Sequence, residues 1–141
     1  MSNLYGQFVY DDAVALKDAG LVMTSATTYE SSILDLGEGL FDGFLVVDLS
    51  AIETGNSDER FYLSMEGSTV AAMTSLSVAL CTQVFGAVIV PMDGVCTAVG
   101  RYVIPFRNEQ AGTLYRYVRL FGNATGTVGT GINFSAQLAK R

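Results

Sequence analysis

Histidine and tryptophan are absent from this chain of 141 residues, and proline and cysteine each occur only twice. Without histidine the chain lacks the usual general base and the Ser-His-Asp and Cys-His arrangements of nucleophilic catalysis. Metal sites built on histidine are excluded as well. No Gly-x-x-x-x-Gly-Lys motif for binding phosphates is present. We therefore expect a binding or structural protein that is not an enzyme and has no catalytic residues, no functional metal and no cofactor.

The other residues with potential chemistry do not form recognisable sites. Cys81 and Cys96 are isolated in the sequence, and in a cytoplasmic chain two buried free thiols are the expected state, with a disulfide as the alternative. The acidic pairs Asp11-Asp12 and Asp58-Glu59 are adjacent in sequence, and neighbouring side chains of an extended chain point apart. We interpret both pairs as solvated loop carboxylates rather than as catalytic or calcium-binding groups.

Charge is scarce and unevenly distributed. Charged residues make up 16% of the chain, and its acidic net charge of −6 argues against nucleic acid as a partner. Residues 101–141 nevertheless hold six of the eight Lys and Arg residues and a single acid, Glu109. Strands from both halves of the chain that interleave in one sandwich would mix these charges. The alternative is a bipolar surface that orients the protein on a partner or on a copy of itself.

Long apolar runs are also missing. No run reaches the roughly 18 residues of a membrane-spanning helix. The segment Met1–Gln7 has neither the basic region nor the apolar region of a signal peptide. We therefore expect no membrane partner and a protein that stays in the cytoplasm where it is made.

Short apolar segments recur along the chain and end at glycine-rich turns. About eight such segments and no helix of consequence predict a single all-β domain over residues 31–141, an antiparallel β-sandwich or jelly roll. The segment Phe44–Leu49 is apolar on nearly both faces, as expected of a central strand. Residues 1–30 are predicted to form an irregular N-terminal arm, in which Ala13–Ala19 has the pattern of a short helix.

The stretch from Leu114 to Leu138 predicts a long-looped antiparallel hairpin. Two alternating segments flank ten residues that include four glycines. In the second segment Asn133, Ser135 and Gln137 form one polar face for solvent. The first segment has no such polar face. One of its sides combines rings with an arginine: Tyr115, Tyr117, Arg119 and Phe121. Its other side carries Leu114, Arg116, Val118 and Leu120.

We predict that the side with the rings contacts another protein chain. Burying the unpaired guanidinium of Arg119 in a core would be costly, whereas Tyr and Arg are enriched at interface hot spots. The alternative is that the rings fill the interior of the sandwich while Val118 and Leu120 point outward. Three rings of the N-terminal arm are further interface candidates, because the arm either folds back on the core or lies on a neighbour: Tyr5, Phe8 and Tyr10.

The order of several segments resembles a known family. Ser32–Gly37 precedes an apolar strand, and Leu63–Ser68 reads Leu-Ser-Met-Glu-Gly-Ser at a strand end. Arg101–Phe106 then leads into Tyr117–Leu120 and a hairpin rich in Gly and Thr. This order, over roughly residues 30–138, resembles the small capsid cement, or decoration, proteins of short-tailed bacteriophages.

The resemblance implies a jelly-roll domain on the outer surface of an icosahedral virion. Such a protein would be made in the cytoplasm of the host bacterium, form a homodimer, bind the major capsid protein and bridge neighbouring capsomers. A jelly-roll module that binds carbohydrate or a receptor is the alternative, although its sugar platform would normally use exposed rings. A regulatory protein of the host cytoplasm is a third interpretation, for which no motif argues.

Overall fold

Two antiparallel sheets face each other in the computed structural model, which describes residues 15–17, 22–24, 28–74, 77–86 and 95–141. The first sheet contains β1 (Ala15–Lys17), β2 (Val22–Met23), β5 (Asp42–Ile52), β9 (Gly100–Arg107) and β13 (Ile132–Lys140). The second sheet contains β3 (Tyr29–Glu30), β4 (Leu34–Asp35), β6 (Arg60–Ser68), β7 (Val78–Gly86), β8 (Val95–Cys96) and β12 (Tyr117–Thr125). A separate short hairpin is formed by β10 (Glu109–Gln110) and β11 (Thr113–Leu114).

The strand order places early and late parts of the chain side by side. The first sheet runs β1-β13-β5-β9, and β2 also pairs with β13. The second sheet runs β3-β12-β6-β7-β8, and β4 also pairs with β12. The described pairs are antiparallel apart from the short parallel contact between β7 and β8. The prediction of an all-β sandwich is therefore confirmed. Among the residues that the structure describes, no helix is long and apolar enough to cross a membrane.

The core lies between the sheets and follows the two-residue period of the long strands. On β6 the inward residues are Phe61, Leu63 and Met65, and all three are fully buried. They pack with Leu45 and Val47 of β5 in one hydrophobic cluster. As predicted, β5 is a central strand, since it pairs with β13 on one side and with β9 on the other.

The predicted hairpin between Leu114 and Leu138 is wrong. Its two strands, β12 and β13, lie in different sheets, and residues 126–131 carry the chain from one sheet to the other. Each strand finds its long partner far away in sequence, because β12 pairs with β6 and β13 pairs with β5. The alternation of apolar and polar residues predicted which side of each strand faces inward. It did not indicate which sheet the strand joins. The polar side of β13 is also drier than predicted, since Gln137 is buried although Asn133 and Ser135 are half-exposed.

The N-terminal part of the chain contributes short strands to both sheets. Residues 15–17 form β1 on the edge of β13, so the helix expected around Ala13–Ala19 is wrong where the structure describes it. Lys17 is buried there: its Nζ donates a hydrogen bond to the carbonyl oxygen of Phe134 at 2.7 Å and lies 4.4 Å from the centre of that ring. The predicted boundary between residues 30 and 31 falls between β3 and β4, which both pair with β12.

A buried asparagine joins the loop before β5 to the end of β9. The side-chain oxygen of Asn108 accepts a hydrogen bond from the backbone N–H of Phe41 at 2.7 Å, and its amide nitrogen donates to the carbonyl oxygen of Gly39 at 3.2 Å. Its own backbone N–H donates to the carbonyl of Phe41, and its carbonyl accepts from the N–H of Tyr115. Because Asn108 is fully buried, removing its side chain would remove the two hydrogen bonds to the part-buried backbone groups of Gly39 and Phe41.

We therefore expect Asn108→Ala to lower the free energy of unfolding by about 1–3 kcal/mol, since it removes two side-chain hydrogen bonds to part-buried backbone groups. Urea denaturation followed by circular dichroism measures this change. Asn123→Ala is the matched control, because Asn123 is half-exposed on β12 and its truncation should cost less than about 0.5 kcal/mol. If both variants lose the same small amount of unfolding free energy, the hydrogen bonds of the Asn108 side chain do not stabilise this loop.

Candidate functional site

The outer side of the second sheet carries rings among short polar side chains. We call this surface the aromatic face and define it by the outward side chains of three neighbouring strands: Tyr117, Arg119, Phe121 and Asn123 of β12, Tyr62, Ser64 and Glu66 of β6, and Thr82 and Val84 of β7. Tyr62 is the most exposed ring among them, at 36%. The hydroxyls of Ser64 and Thr82 share a hydrogen bond of 2.9 Å across the strands.

Three of the predicted interface residues lie on this face, and the alternative that they fill the interior is wrong. Val118 and Leu120 alternate with them on β12 and are fully buried in the core. Because successive side chains of a strand point to opposite faces, Tyr117, Arg119 and Phe121 point away from the core. They are half-exposed rather than fully exposed. Whether another chain contacts them remains a prediction.

Tyr115 does not share this surface with the other three. It precedes β12, and its Cβ lies 2.8 Å from the position that a Cβ on Gly67 would occupy. Gly67 pairs with the buried Val118 and therefore stands in the inward register of β6. The same position on Gly67 also meets Leu80, which packs against the core. The regular alternation assumed from Leu114 onward therefore breaks before Tyr117, and Tyr115 turns toward the core side.

The same break brings Arg116 to the edge of the aromatic face, where the sequence pattern did not place it. Its guanidinium lies 5.4 Å from the centre of the Tyr117 ring. Two of its nitrogens donate hydrogen bonds to the two carboxylate oxygens of Asp35, at 2.7 and 2.8 Å. These bonds hold the pKa of the Asp35 carboxyl at about 2, below its usual value of 3.8. Glu38, 3.5 Å away, adds a second acidic partner.

Arg119 is the central charge of the aromatic face and is compensated within the chain. Its Nε lies 3.0 Å from Glu66 and its Nη1 lies 3.2 Å from Glu30. Only 16% of its side chain and 18% of that of Glu66 are exposed. Such a pair is already largely desolvated, so covering it costs less than covering a free guanidinium. The prediction from the sequence treated Arg119 as unpaired. In the structure the residue faces outward, as predicted, but it is paired with Glu66 and Glu30.

Three of the five arginines of residues 101–141 pair with acids of the first part of the chain. Besides Arg116 and Arg119, Arg101 of β9 binds Asp48 of β5 through two hydrogen bonds of 2.6 and 2.9 Å. In the described residues the two unevenly charged halves of the sequence therefore mix their charges across the sheets. This observation favours the mixed surface over the bipolar one.

The sequence did not identify six contributors to the aromatic face, among them Thr82 and Val84 of β7. Tyr62, Ser64 and Glu66 alternate with the core residues of β6, and Asn123 continues the outward side of β12. Alternation on β6 already separated an inward apolar side from an outward side, so their orientation was available. Their position next to Phe121 and Arg119 could not be predicted, because it depends on the pairing of β6 with β12. The arm candidates Tyr5, Phe8 and Tyr10 lie outside the described residues.

The face has no group suited to covalent or metal chemistry. Across the ranges that the structure describes, no three acidic or cysteine side chains are placed to hold a metal ion. Cys81 is a free thiol that packs against the core, and burial raises its pKa to about 11. A thiol with so high a pKa is not a nucleophile at neutral pH.

One end of the sandwich holds a second polar feature. The Glu53 carboxylate accepts hydrogen bonds from the backbone N–H groups of Gly129, Thr130 and Gly131 at 2.6–3.0 Å. Gly131 has a φ of +75° and lies against the backbone of β2, so a side chain there would clash. The hydrogen bonds, chiefly those from Gly131 and Gly129, lower the pKa of Glu53 from its usual 4.5. The loop between β12 and β13 is thus fixed by a carboxylate, not open to an external anion.

No protein-family model matches the chain, and no curated protein is significantly similar to it. The comparisons therefore assign no family.

The Glu53 contact predicts a response to acid. A carboxyl whose pKa is lowered in the folded protein stabilises the fold above the unfolded-state pKa, and this contribution disappears as the pH falls through the folded-state pKa. The amide NMR signals of Gly129, Thr130 and Gly131 should shift together with a midpoint below pH 4.5. Glu53→Gln should abolish that shared transition. A midpoint at or above pH 4.5, or an unchanged transition in Glu53→Gln, would contradict this assignment.

Proposed function

We propose that the protein is a jelly-roll capsid cement protein, which binds the outer surface of an icosahedral phage shell through the aromatic face. The observation that carries the proposal is the outward orientation of Tyr117, Arg119 and Phe121, because Val118 and Leu120 occupy the core. The resemblance in segment order supports the same function. The shell's major capsid protein would be the partner, and the protein would be a homodimer that bridges neighbouring capsomers.

The strand order supports the jelly-roll part of the proposal. A jelly roll has eight strands in two sheets, connected as two Greek keys. If β1 with β2, and β3 with β4, are each counted as one interrupted strand, the first sheet has four strands and the second has four plus the short β8. Some consecutive long strands then lie in different sheets: β5 is followed by β6 of the second sheet, and β12 is followed by β13 of the first.

The chemistry of the aromatic face suits a protein partner. Tyr and Arg supply large contact area at hot spots, and short Ser, Thr and Asn side chains adapt their hydrogen bonds to a flat partner. Arg119 and Glu66 compensate each other before a partner arrives. The partner would therefore not need to supply a counter-charge to the guanidinium. Most of the binding free energy would come from burial of the rings.

The charge around the face predicts the chemistry of the partner surface. Its two arginines, Arg116 and Arg119, are outnumbered by the four acids that pair with them: Glu30, Asp35, Glu38 and Glu66. A partner that matches this net negative charge would present lysine or arginine side chains at the rim of the contact. Repetition of such a contact over a shell would add avidity, and binding to the assembled shell would stabilise it by mass action.

A module that binds carbohydrate or a receptor is the second candidate. The observation that favours it is the ring of Tyr62, which is 36% exposed beside Asn123 and Ser64. A ring with neighbouring amide and hydroxyl groups is able to stack on a sugar and hydrogen-bond to it. Retention of the protein on a glycan array but not on shells would favour this candidate over the cement protein.

The test is the binding of purified protein to empty shells lacking it. Tyr117→Ala should weaken binding by about 2 kcal/mol or more, roughly 30-fold, as for a truncated hot spot, and the thermal melting of the free protein should be nearly unchanged. The matched control is Val103→Ala, which removes an exposed apolar side chain from the first sheet and should leave binding intact.

Two outcomes would reject the proposal. One is equal binding of the Tyr117→Ala and Val103→Ala variants. The other is a free Tyr117→Ala protein destabilised by roughly 3–5 kcal/mol, the cost of removing a large core ring, because the ring would then be part of the fold.

A further inference from the structure

The strand β9 forms one edge of the first sheet and is long for an edge strand. In the part of the chain that the structure describes, it pairs with β5 alone. The other edge strands, β1, β2, β3, β4 and β8, have two or three residues each, whereas β9 has eight. Short edge strands protect a sandwich from pairing with other chains. The edge at β9 lacks this protection over the length of a complete strand.

The backbone groups of alternate β9 residues point away from β5. Just beyond the strand, the N–H of Asn108 donates to the carbonyl of Phe41, and the pairing of β9 with β5 has no register shift. Hydrogen-bonded positions alternate along an antiparallel pair. The even-numbered residues of β9 therefore bond to β5, and Val103, Pro105 and Arg107 turn their backbone groups to the other side. Pro105 has no N–H, and at this position its ring removes no bond to β5.

The side chains along this edge include exposed apolar groups. Val103 is 41% exposed. Val99, just before the strand, is 57% exposed, the largest value for a large apolar side chain among the described residues. The guanidinium of Arg101 between them is bound to both carboxylate oxygens of Asp48. Exposed apolar side chains beside outward backbone groups are the features of an edge that accepts another strand.

We propose that the β9 strands of two copies of this chain pair antiparallel about a two-fold axis at Val103. A strand that pairs with its own copy meets the same groups in reverse order, so the interface is the same patch on both subunits. In this register Val103 lies opposite Val103 of the partner subunit. The N–H and the carbonyl of each then form two hydrogen bonds between the chains.

The side chains favour this register over its neighbour. With the axis at Val103, Pro105 stands opposite Arg101, and Arg107 stands opposite Val99, so no two arginines oppose each other. An axis one residue further on would place Arg107 opposite Arg101, and like charges directly opposite on paired strands are destabilising.

The length of the strand also favours an axis at Val103. This axis overlaps residues 100–106 of the two copies, nearly the whole of β9. An axis at Tyr102 would overlap only residues 100–104 of the strand.

Such a dimer joins two first sheets into one, in the order β13-β5-β9-β9-β5-β13. The two-fold axis of an antiparallel pair is perpendicular to the sheet, so the aromatic faces of both copies point to the same side. The inference thus deepens the homodimer of the proposed function, because two faces on one side are able to reach neighbouring capsomers. The pairing of β9 itself does not rest on capsid binding.

Analytical ultracentrifugation of the full-length free protein tests the pairing through two variants of Val103. We expect the unmodified protein to sediment as a dimer, with twice the chain mass of 15.0 kDa. Val103→Pro removes an N–H that points away from β5 and should raise the dissociation constant of the dimer at least about tenfold. Val103→Ala keeps this N–H and is the matched control, which should remain dimeric. Circular dichroism establishes that both variants are folded.

A disulfide experiment tests the register and decides the question if Val103→Pro does not fold. In a chain with Cys81→Ala and Cys96→Ala, Val103→Cys should form a covalent dimer on mild oxidation. The two Cα atoms of a hydrogen-bonded pair lie about 5.5 Å apart, within the range of a disulfide. Arg107→Cys, exposed on the same edge, is the register control and should not form a covalent dimer, since position 107 lies opposite position 99.

Three results would overturn the proposal: a monomeric unmodified protein, equal dissociation constants for folded Val103→Pro and Val103→Ala, or crosslinking at position 107 but not at position 103. The binding of shells separates this proposal from the capsid function. A β9-paired dimer that does not bind shells would reject the capsid function alone, and a monomer that binds shells would reject the pairing alone.

Discussion

Desolvation of two apolar side chains on β12 orients the strand on which the proposed function depends. Val118 and Leu120 are fully buried in the cluster between the sheets. Each contributes roughly 1.5–3 kcal/mol relative to exposure, so rotating the strand to hide Phe121 instead would expose both and bury Arg119. The guanidinium meets Glu66 and Glu30 only in the observed orientation. Apolar burial and charge compensation therefore favour the same side of the strand.

Much of the fold could be predicted from residues whose pattern is local. Phe61, Leu63 and Met65 alternate with polar residues, so their inward side was evident, and the two apolar faces of Phe44–Leu49 indicated a central strand. The partners of each strand could not be predicted in the same way. The glycine-rich stretch after β12 suggested a hairpin turn, although it crosses between sheets. Loop chemistry shows that the chain turns, but the packing of distant strands decides where it goes.

The departures from prediction share one physical cause, which is contact between residues far apart in sequence. β1 has too few residues for any propensity to fix it, and it exists because β13 offers an edge and Phe134 accepts the Lys17 ammonium. Arg116 leaves the side predicted for it because Asp35, 81 residues earlier, offers a bidentate carboxylate. Gln137 is buried on the side of β13 that was expected to face solvent, although Asn133 and Ser135 on the same side are half-exposed.

The sandwich thus has two outer faces of different character: on the first sheet Val46, Gln137 and Ala139 are buried, and the second sheet leaves half-exposed rings beside an ion pair that is already compensated. We propose that the second of these, the aromatic face, contacts the shell. A cryo-electron microscopy map of empty shells incubated with the protein tests it most directly. We expect density for the sandwich on the outer surface, with β12 and β6 against the major capsid protein. Density in which this face points to solvent while another surface contacts the shell, or shells without bound protein, would contradict it.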